Sequence, residues 1–248
     1  MRQSFAALFF LPAVAMAAHP LVTDDAGTQG AGAWQLEVNA DYARAPDQGF
    51  QQRVANTTLT VGAADTIDLF VNGTALRSES LDNSGMPTVA RGAGDLSVGG
   101  KWRLFENDKL SLALKATANL PSGDSQRGLG NGMPYYAAAA IAGYQIGDWV
   151  LLANAAGAYF SGNVPDQQQW QWSLSVAAVR DINDTWQIVG ELATYSSALA
   201  ESGGNTGLLS LGLIYRMLPV LDLDIGYRYG LKDASMDHGF GAGLAFRW

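Results

Sequence analysis

Apolar and polar residues alternate along almost the whole chain, and a period of two admits strands and little else. From Leu221 to Tyr229, the residues Leu221, Leu223, Ile225, Tyr227 and Tyr229 share one face. Asp222, Asp224, Gly226 and Arg228 share the other. Phe240, Ala242, Leu244, Phe246 and Trp248 oppose Gly239, Gly241, Gly243, Ala245 and Arg247 in the same way. Near the start, Trp34, Leu36, Val38, Ala40 and Tyr42 oppose Gln35, Glu37, Asn39 and Asp41. Twelve such segments are readable, at about 33–44, 51–63, 66–78, 92–105, 109–120, 134–146, 149–160, 169–181, 185–196, 206–217, 221–230 and 238–248. Each is roughly 10–14 residues, near the ~9–11 that a tilted strand needs to cross a bilayer and longer than the ~5–6 usual in soluble sheets. In 134–146 the run Ala137–Ala140 leaves the facing open.

Alternation alone also suits a soluble sandwich, so the sorting of residues between faces has to decide. The apolar faces end in aromatics: Trp34, Tyr42, Trp102, Trp149, Tyr159, Trp170, Trp172, Trp186, Tyr215, Tyr227, Tyr229, Phe246 and Trp248. Aromatics at strand ends match the girdles at the two interfaces of a membrane barrel, whereas a soluble core concentrates them mid-strand. Connections also alternate. Ala64-Asp65, Asn107-Asp108, Gly147-Asp148, Asn183-Asp184 and Leu218-Pro219 mark short turns. Longer polar connections lie around Pro46–Phe50, Glu79–Arg91, Pro121–Met133, Ser161–Gln168, Ala198–Asn205 and Leu231–Asp237. The expectation is an all-β chain, a transmembrane antiparallel β-barrel of about 12 strands over 33–248, with the short turns and both termini on the periplasmic side. Such a barrel belongs in the outer membrane of a Gram-negative bacterium. Its partners are outer-membrane lipid and the barrel-assembly machinery, which recognises a terminal aromatic such as Trp248.

Composition agrees. Only 15% of residues are charged, below the ~25% of soluble domains. Past the N-terminus no apolar run reaches the ~18 residues of a membrane helix. No Cys is present, which excludes disulfides and thiol chemistry, and the net charge of −8 argues against nucleic acid as a partner. At the N-terminus, Arg2, the apolar stretch Phe5–Val14 and Ala15-Met16-Ala17 read as a signal peptide over 1–17. Residues 18–32 then form a periplasmic tail. Its Asp24-Asp25 pair is expected to be solvated or to cap the mouth rather than to bind a cation.

The stretch His19-Pro20-Leu21-Val22-Thr23-Asp24-Asp25-Ala26-Gly27-Thr28-Gln29-Gly30, followed by Trp34-Gln35-Leu36-Glu37, resembles the opening of a family of outer-membrane barrels named for the meta pathway of phenol degradation. Leu120-Pro121-Ser122-Gly123-Asp124, with Gly128-Leu129-Gly130-Asn131-Gly132 after it, resembles that family's central loop. The resemblance covers the mature chain and implies transporter-like passage of small organic compounds.

The polar faces supply the candidate pore-lining residues: Glu37, Asp68, Asp95, Lys101, Arg103, Lys115, Glu191, Arg216, Asp222, Asp224, Arg228 and Arg247. Two readings stay open for them, a charged constriction that sets selectivity and an ion-pair network that stiffens the wall. Arg216 is expected to meet Asp222 and Asp224 across a short turn, and Arg247 to meet Glu37 across the closing pair. Lys101, Arg103 and Lys115 would attract anions unless Asp95 and Glu191 balance them. Phe70, Leu76, Val189 and Tyr195 also face inward, and a mixed lining suits aromatic or amphipathic solutes. Asp124 and Arg127 lie in a Gly-rich loop that either constricts the mouth or stays outside it. Eight strands leave no channel and sixteen leave a wide one, so twelve give a narrow pore at best.

Two other functions compete. A hydrolase needs a nucleophile, a base and an orienting group. Only His19 and His238 are available as the base, and Ser235 and Asp237 beside His238 make a cramped triad. A structural barrel with a plugged lumen is the third class. No catalytic residue, metal site or cofactor is assigned, and the oligomeric state is open.

Overall fold

The computed structural model describes residues 19–46, 49–81, 86–162, 167–198, 205–231 and 236–248. The expected signal peptide lies outside them. The chain runs β1 (Trp34–Ala45), β2 (Phe50–Ala64), β3 (Ile67–Leu81), β4 (Pro87–Ala93), β5 (Leu96–Glu106), β6 (Leu110–Leu120), β7 (Tyr135–Ile146), β8 (Trp149–Phe160), β9 (Trp170–Asp181), β10 (Trp186–Ser196), β11 (Asn205–Leu218), β12 (Leu221–Gly230) and β13 (His238–Arg247). Successive strands pair antiparallel, and β1 pairs with β13 from Gln35–Arg247 to Arg44–His238, so the sheet closes on itself. β4 and β5 both lie against β3, β4 along its Ala75–Leu81 part and β5 along Ile67–Asn72. They occupy one wall position, and the closed barrel has twelve strands.

That shared position differs from the single strand expected over 92–105. The ladder breaks at Gly94-Asp95, and strand pairing reaches back to Pro87. Gly92 has a positive φ of 153°, which side-chain-bearing residues rarely adopt. Asp95 leaves the ladder because its carboxylate accepts the N–H groups of Gly123 and Asn131, each at 2.8 Å. The connection expected around Glu79–Arg91 is therefore strand at both ends.

Register fixes what each face meets. Mid-strand Leu192 and Ile225 point outward and are 52% and 59% exposed, an apolar outer surface that water disfavours and hydrocarbon accepts. Asp68, Ser97, Lys115, Glu191 and Ser210 point inward and are buried. In the alanine run, Ala137 and Ala139 face inward and are buried, while Ala138 and Ala140 face outward. At the short-turn end, Trp34 stacks on Trp248 with centroids 6.3 Å apart, and Trp186 meets Tyr215 at 4.7 Å. At the long-loop end Tyr159 meets Trp170 at 4.8 Å and Tyr227 meets Phe240 at 5.1 Å. The short turns are set locally: Asn107 Oδ1 accepts the N–H groups of Lys109 and Leu110, and Asn183 Oδ1 those of Thr185 and Trp186.

Preceding β1, the chain passes the short-turn rim, where Gly32 donates to Gly62 O at 2.8 Å, and residues 19–30 lie inside the barrel. Replacing Ile225 with Arg puts a charge on the mid-height outer face and should lower stability in phospholipid vesicles by about 2–4 kcal/mol. Denaturant unfolding checks this, and a loss below about 1 kcal/mol would show that lipid does not meet that face.

Candidate functional site

The lumen is occupied by the chain's own N-terminal segment. Pro20 and His19 reach the middle of β11–β13, and the wall makes room for them with glycine. Gly212, Gly226 and Gly241 stand opposite one another across these strands. A Cβ on Gly212 or Gly226 would collide with the Pro20 ring, and one on Gly241 with the His19 imidazole. His19 Nδ1 bonds the Asp224 carboxylate and Nε2 the Asp41 carboxylate, at 3.2 Å for the latter. Arg228 ties the same corner, with Nη1 on Asp41 and Nη2 donating to Pro20 O at 3.1 Å.

Further along, Glu191 gathers the tail's backbone. It accepts from Val22 N at 3.0 Å, Thr23 N at 2.5 Å and Thr23 Oγ1 at 2.5 Å, and from Ser210 Oγ at 2.9 Å. Asp24 then lies between two lysines: Lys115 Nζ reaches Oδ2 at 2.6 Å and Lys101 Nζ reaches Oδ1 at 3.4 Å. The Asn154 amide, turned to satisfy both groups, accepts the Asp24 N–H and donates to its C=O. Gln29 N donates to Asp68 at 3.0 Å before the tail leaves at the rim.

The charges on tail and wall are matched in sign. Burial alone would push the His19 imidazole down, but the hydrogen bonds to Asp224 and Asp41 outweigh it and hold its pKa above the ordinary 6.5. Burial alone would push the Asp24 carboxyl up, but Lys101 and Lys115 outweigh it and hold its pKa below the ordinary 3.8. Of the pair, Asp24 is thus neither solvated nor a cap at the mouth, because lysine ammonium groups surround its oxygens, whereas Asp25 is exposed as expected. Among the described residues no group of three or more His, Asp or Glu is arranged to hold a metal ion.

Eleven of the twelve candidate lining residues point inward by register, and Asp95, outside the ladder, is buried, but the partners differ from the expected ones. Arg216 bonds Asp181 at 2.7 Å rather than Asp222 or Asp224. Arg247 bonds Asp222 at 2.7 Å and Gln35 Oε1 at 2.8 Å rather than Glu37. The reason is reach: a long guanidinium spans a strand, and Asp224 is engaged by His19. Arg103 pairs with Glu106 at 2.6 Å and donates to Asp65 O at 2.9 Å. Glu37 lies on the inner face of β1 opposite Thr58. Asp124 caps a 3-10 turn over Ser125–Arg127 by accepting from Arg127 N at 3.2 Å, while Arg127 Nη2 donates to Arg91 O at 3.2 Å. Both side chains are exposed, and the loop is pinned to Asp95 below it.

Sequence reasoning did not find His19, Asp41, Thr23 and Asn154 as site residues. The signal that could have found them is the inward glycine set Gly212, Gly226, Gly241 and Gly243, which leaves a wall too recessed to fill its own lumen. Replacing Glu191 with Ala strands the Val22 and Thr23 donors, and hydrogen exchange of those two amides should accelerate at least about tenfold. Unchanged exchange would show that Glu191 does not retain the tail.

Comparison with known proteins agrees with this fold. An outer-membrane channel from Pseudomonas putida F1 superposes with a TM-score of 0.75 at 12% identity, covering 90% of this chain and 98% of that one. The NanC porin gives a TM-score of 0.60 at 11% identity, covering 85% and 98%. The KdgM porin gives 0.59 at 8%, covering 86% and 98%. No curated protein matches the chain significantly by sequence. Residues 18–248 match a family model, and the chain belongs to the family described as "Putative MetA-pathway of phenol degradation".

Proposed function

We propose that the barrel is an outer-membrane channel for passive passage of small organic solutes, closed at rest by residues 19–30. One observation carries this reading. Above Gly30 the tail's bonds to the wall, among the described residues, run through side chains rather than through strand pairing. A segment held that way can leave without breaking the barrel. The channel porins it resembles in fold support the same reading, as does the mixed lining. Inward-facing Phe70, Leu76, Val189 and Tyr195 stand among charged residues, which favours aromatic or amphipathic solutes over simple ions. The inward charges then have two roles: some hold the tail, and the rest, such as Arg216 with Asp181, brace the wall.

Among the described residues neither histidine is set against a serine nucleophile, so the hydrolase reading is the weaker one. His238 shares a 2.7 Å hydrogen bond with the Tyr227 hydroxyl, and Ser235 lies outside the described residues. His19 is held between carboxylates. Wild-type protein should leave phospholipid unhydrolysed, and hydrolysis that His238→Ala abolishes would favour a hydrolase instead.

Tail docking should have a pH window. Asp24 contributes above its ordinary range, and that contribution is lost as pH falls through its lowered docked value. His19, whose docked pKa is raised, contributes fully below 6.5, and that contribution is lost as pH rises through its higher docked value. Single-channel recording should show rare openings near pH 6 that become frequent in alkali, and His19→Gln should remove the alkaline rise. Asp24→Asn with Glu191→Gln should open the pore at all pH values. Absence of conductance in that double variant would overturn the channel reading in favour of a structural barrel.

A further inference from the structure

The aromatic belt at the long-loop end is interrupted over β2, β3 and β4. Across the register, Phe240 stands opposite Tyr42, Tyr42 opposite Arg53, Arg53 opposite Arg77, and Arg77 opposite Arg91. The three arginines point outward and are exposed. Directly opposed residues on an antiparallel pair are close, about 4.5–5.5 Å between Cβ atoms, so like charges there repel. Among the described residues, compensation comes from Glu79 and from the Tyr42 ring. Glu79 accepts from Arg77 Nε at 2.9 Å and Nη2 at 2.7 Å. Arg53 lies over the Tyr42 ring, 5.9 Å from its centroid. Arg127 adds a further guanidinium beside Arg91 by donating to its carbonyl.

The height of this row matters. Arg77 is ten residues along β3 from Ile67 at the short-turn end. At about 3.3 Å per residue and a tilt of ~40°, that is about 25 Å, the full height of a barrel's apolar band. The arginines therefore stand at headgroup level. Directly beneath, Ala242, Ala40, Ala55, Ala75 and Ala93 are opposed to one another on the same outer face. These short side chains, edged by Tyr42, Phe240, Arg53 and Arg77, leave a furrow of about 700 Å³.

We infer that this outer face binds a phosphorylated lipid of the outer leaflet, its phosphate on Arg53, Arg77 and Arg91 and an acyl chain in the alanine furrow. Guanidinium groups match phosphate oxygens in geometry and charge. A free phosphate would use the arginines and leave the furrow bare. A second copy docked face to face would bring the same arginines against themselves. Only an amphiphile with its anion above and its hydrocarbon below satisfies both parts of the surface.

Native mass spectrometry of the detergent-solubilised full chain tests this, with diphosphorylated lipid A as the probe. Wild-type protein should retain the probe, retain its fully dephosphorylated form at least about tenfold less, and keep it in equimolar inorganic phosphate. Arg53→Gln with Arg91→Gln, which spares the Arg77–Glu79 pair, should cut retention at least about tenfold. Ala55→Trp, which fills the furrow, should also cut it. Arg180→Gln, an outward arginine at the short-turn end, should not. Heat-modifiable gel migration confirms that each variant is folded. Equal retention of the phosphorylated and dephosphorylated probes by wild-type protein overturns the inference without any variant. Displacement by equimolar phosphate, undiminished retention in the arginine double variant, or a dimer that excludes the lipid overturns it as well.

Discussion

Hydrocarbon offers no partner to a peptide group, and everything else in this molecule follows from that. Each backbone N–H and C=O at membrane depth must find its mate in a neighbouring strand, and the outermost strands must find each other. Pairing β1 with β13 answers the requirement along the whole length from Gln35–Arg247 to Arg44–His238. Once the sheet is a cylinder its two faces are no longer equivalent. The outside is committed to apolar side chains of any size. The inside has a fixed cross-section, and something must fill it or water will.

A twelve-strand wall with glycines on its inner face cannot fill its own interior, and here the N-terminal segment does so. Its docking is electrostatic in character. The wall presents lysines where the tail carries Asp24 and aspartates where it carries His19, so both of these buried tail charges meet their opposites. Removing one partner from such a pair leaves the other buried and uncompensated, which costs more than the pair itself contributes. The same arrangement holds a segment firmly when all its charges are present and loosely when one is neutralised. That is a sound basis for a reversible closure, and a poor one for a permanent structural filling, for which apolar packing would serve better.

Much of the fold was legible because a period of two is so restrictive. Strand positions, inward and outward faces, the girdles and the inward charges all follow from alternation. The break at Gly94-Asp95 was not legible, because it depends on Asp95 capturing loop amides 28 and 36 residues later. Charge partners were not legible either. Alternation tells which face Arg216 is on, but not that its side chain passes over Gln187 to Asp181. The tail's course was hidden for a different reason. It has no periodicity of its own, and only the recessed glycines of three distant strands record its presence.

Closure of the sheet also imposes an order on assembly. The tail precedes β1, yet its anchors Asp224, Arg228 and Gly241 lie on the last two strands to be made. Its contacts with Lys101 and Lys115 need only β5 and β6, whereas the His19 corner needs β12 and β13 in place. Zipping β13 onto β1 therefore completes two things in a single event: the cylinder loses its free edges, and the segment from His19 is enclosed.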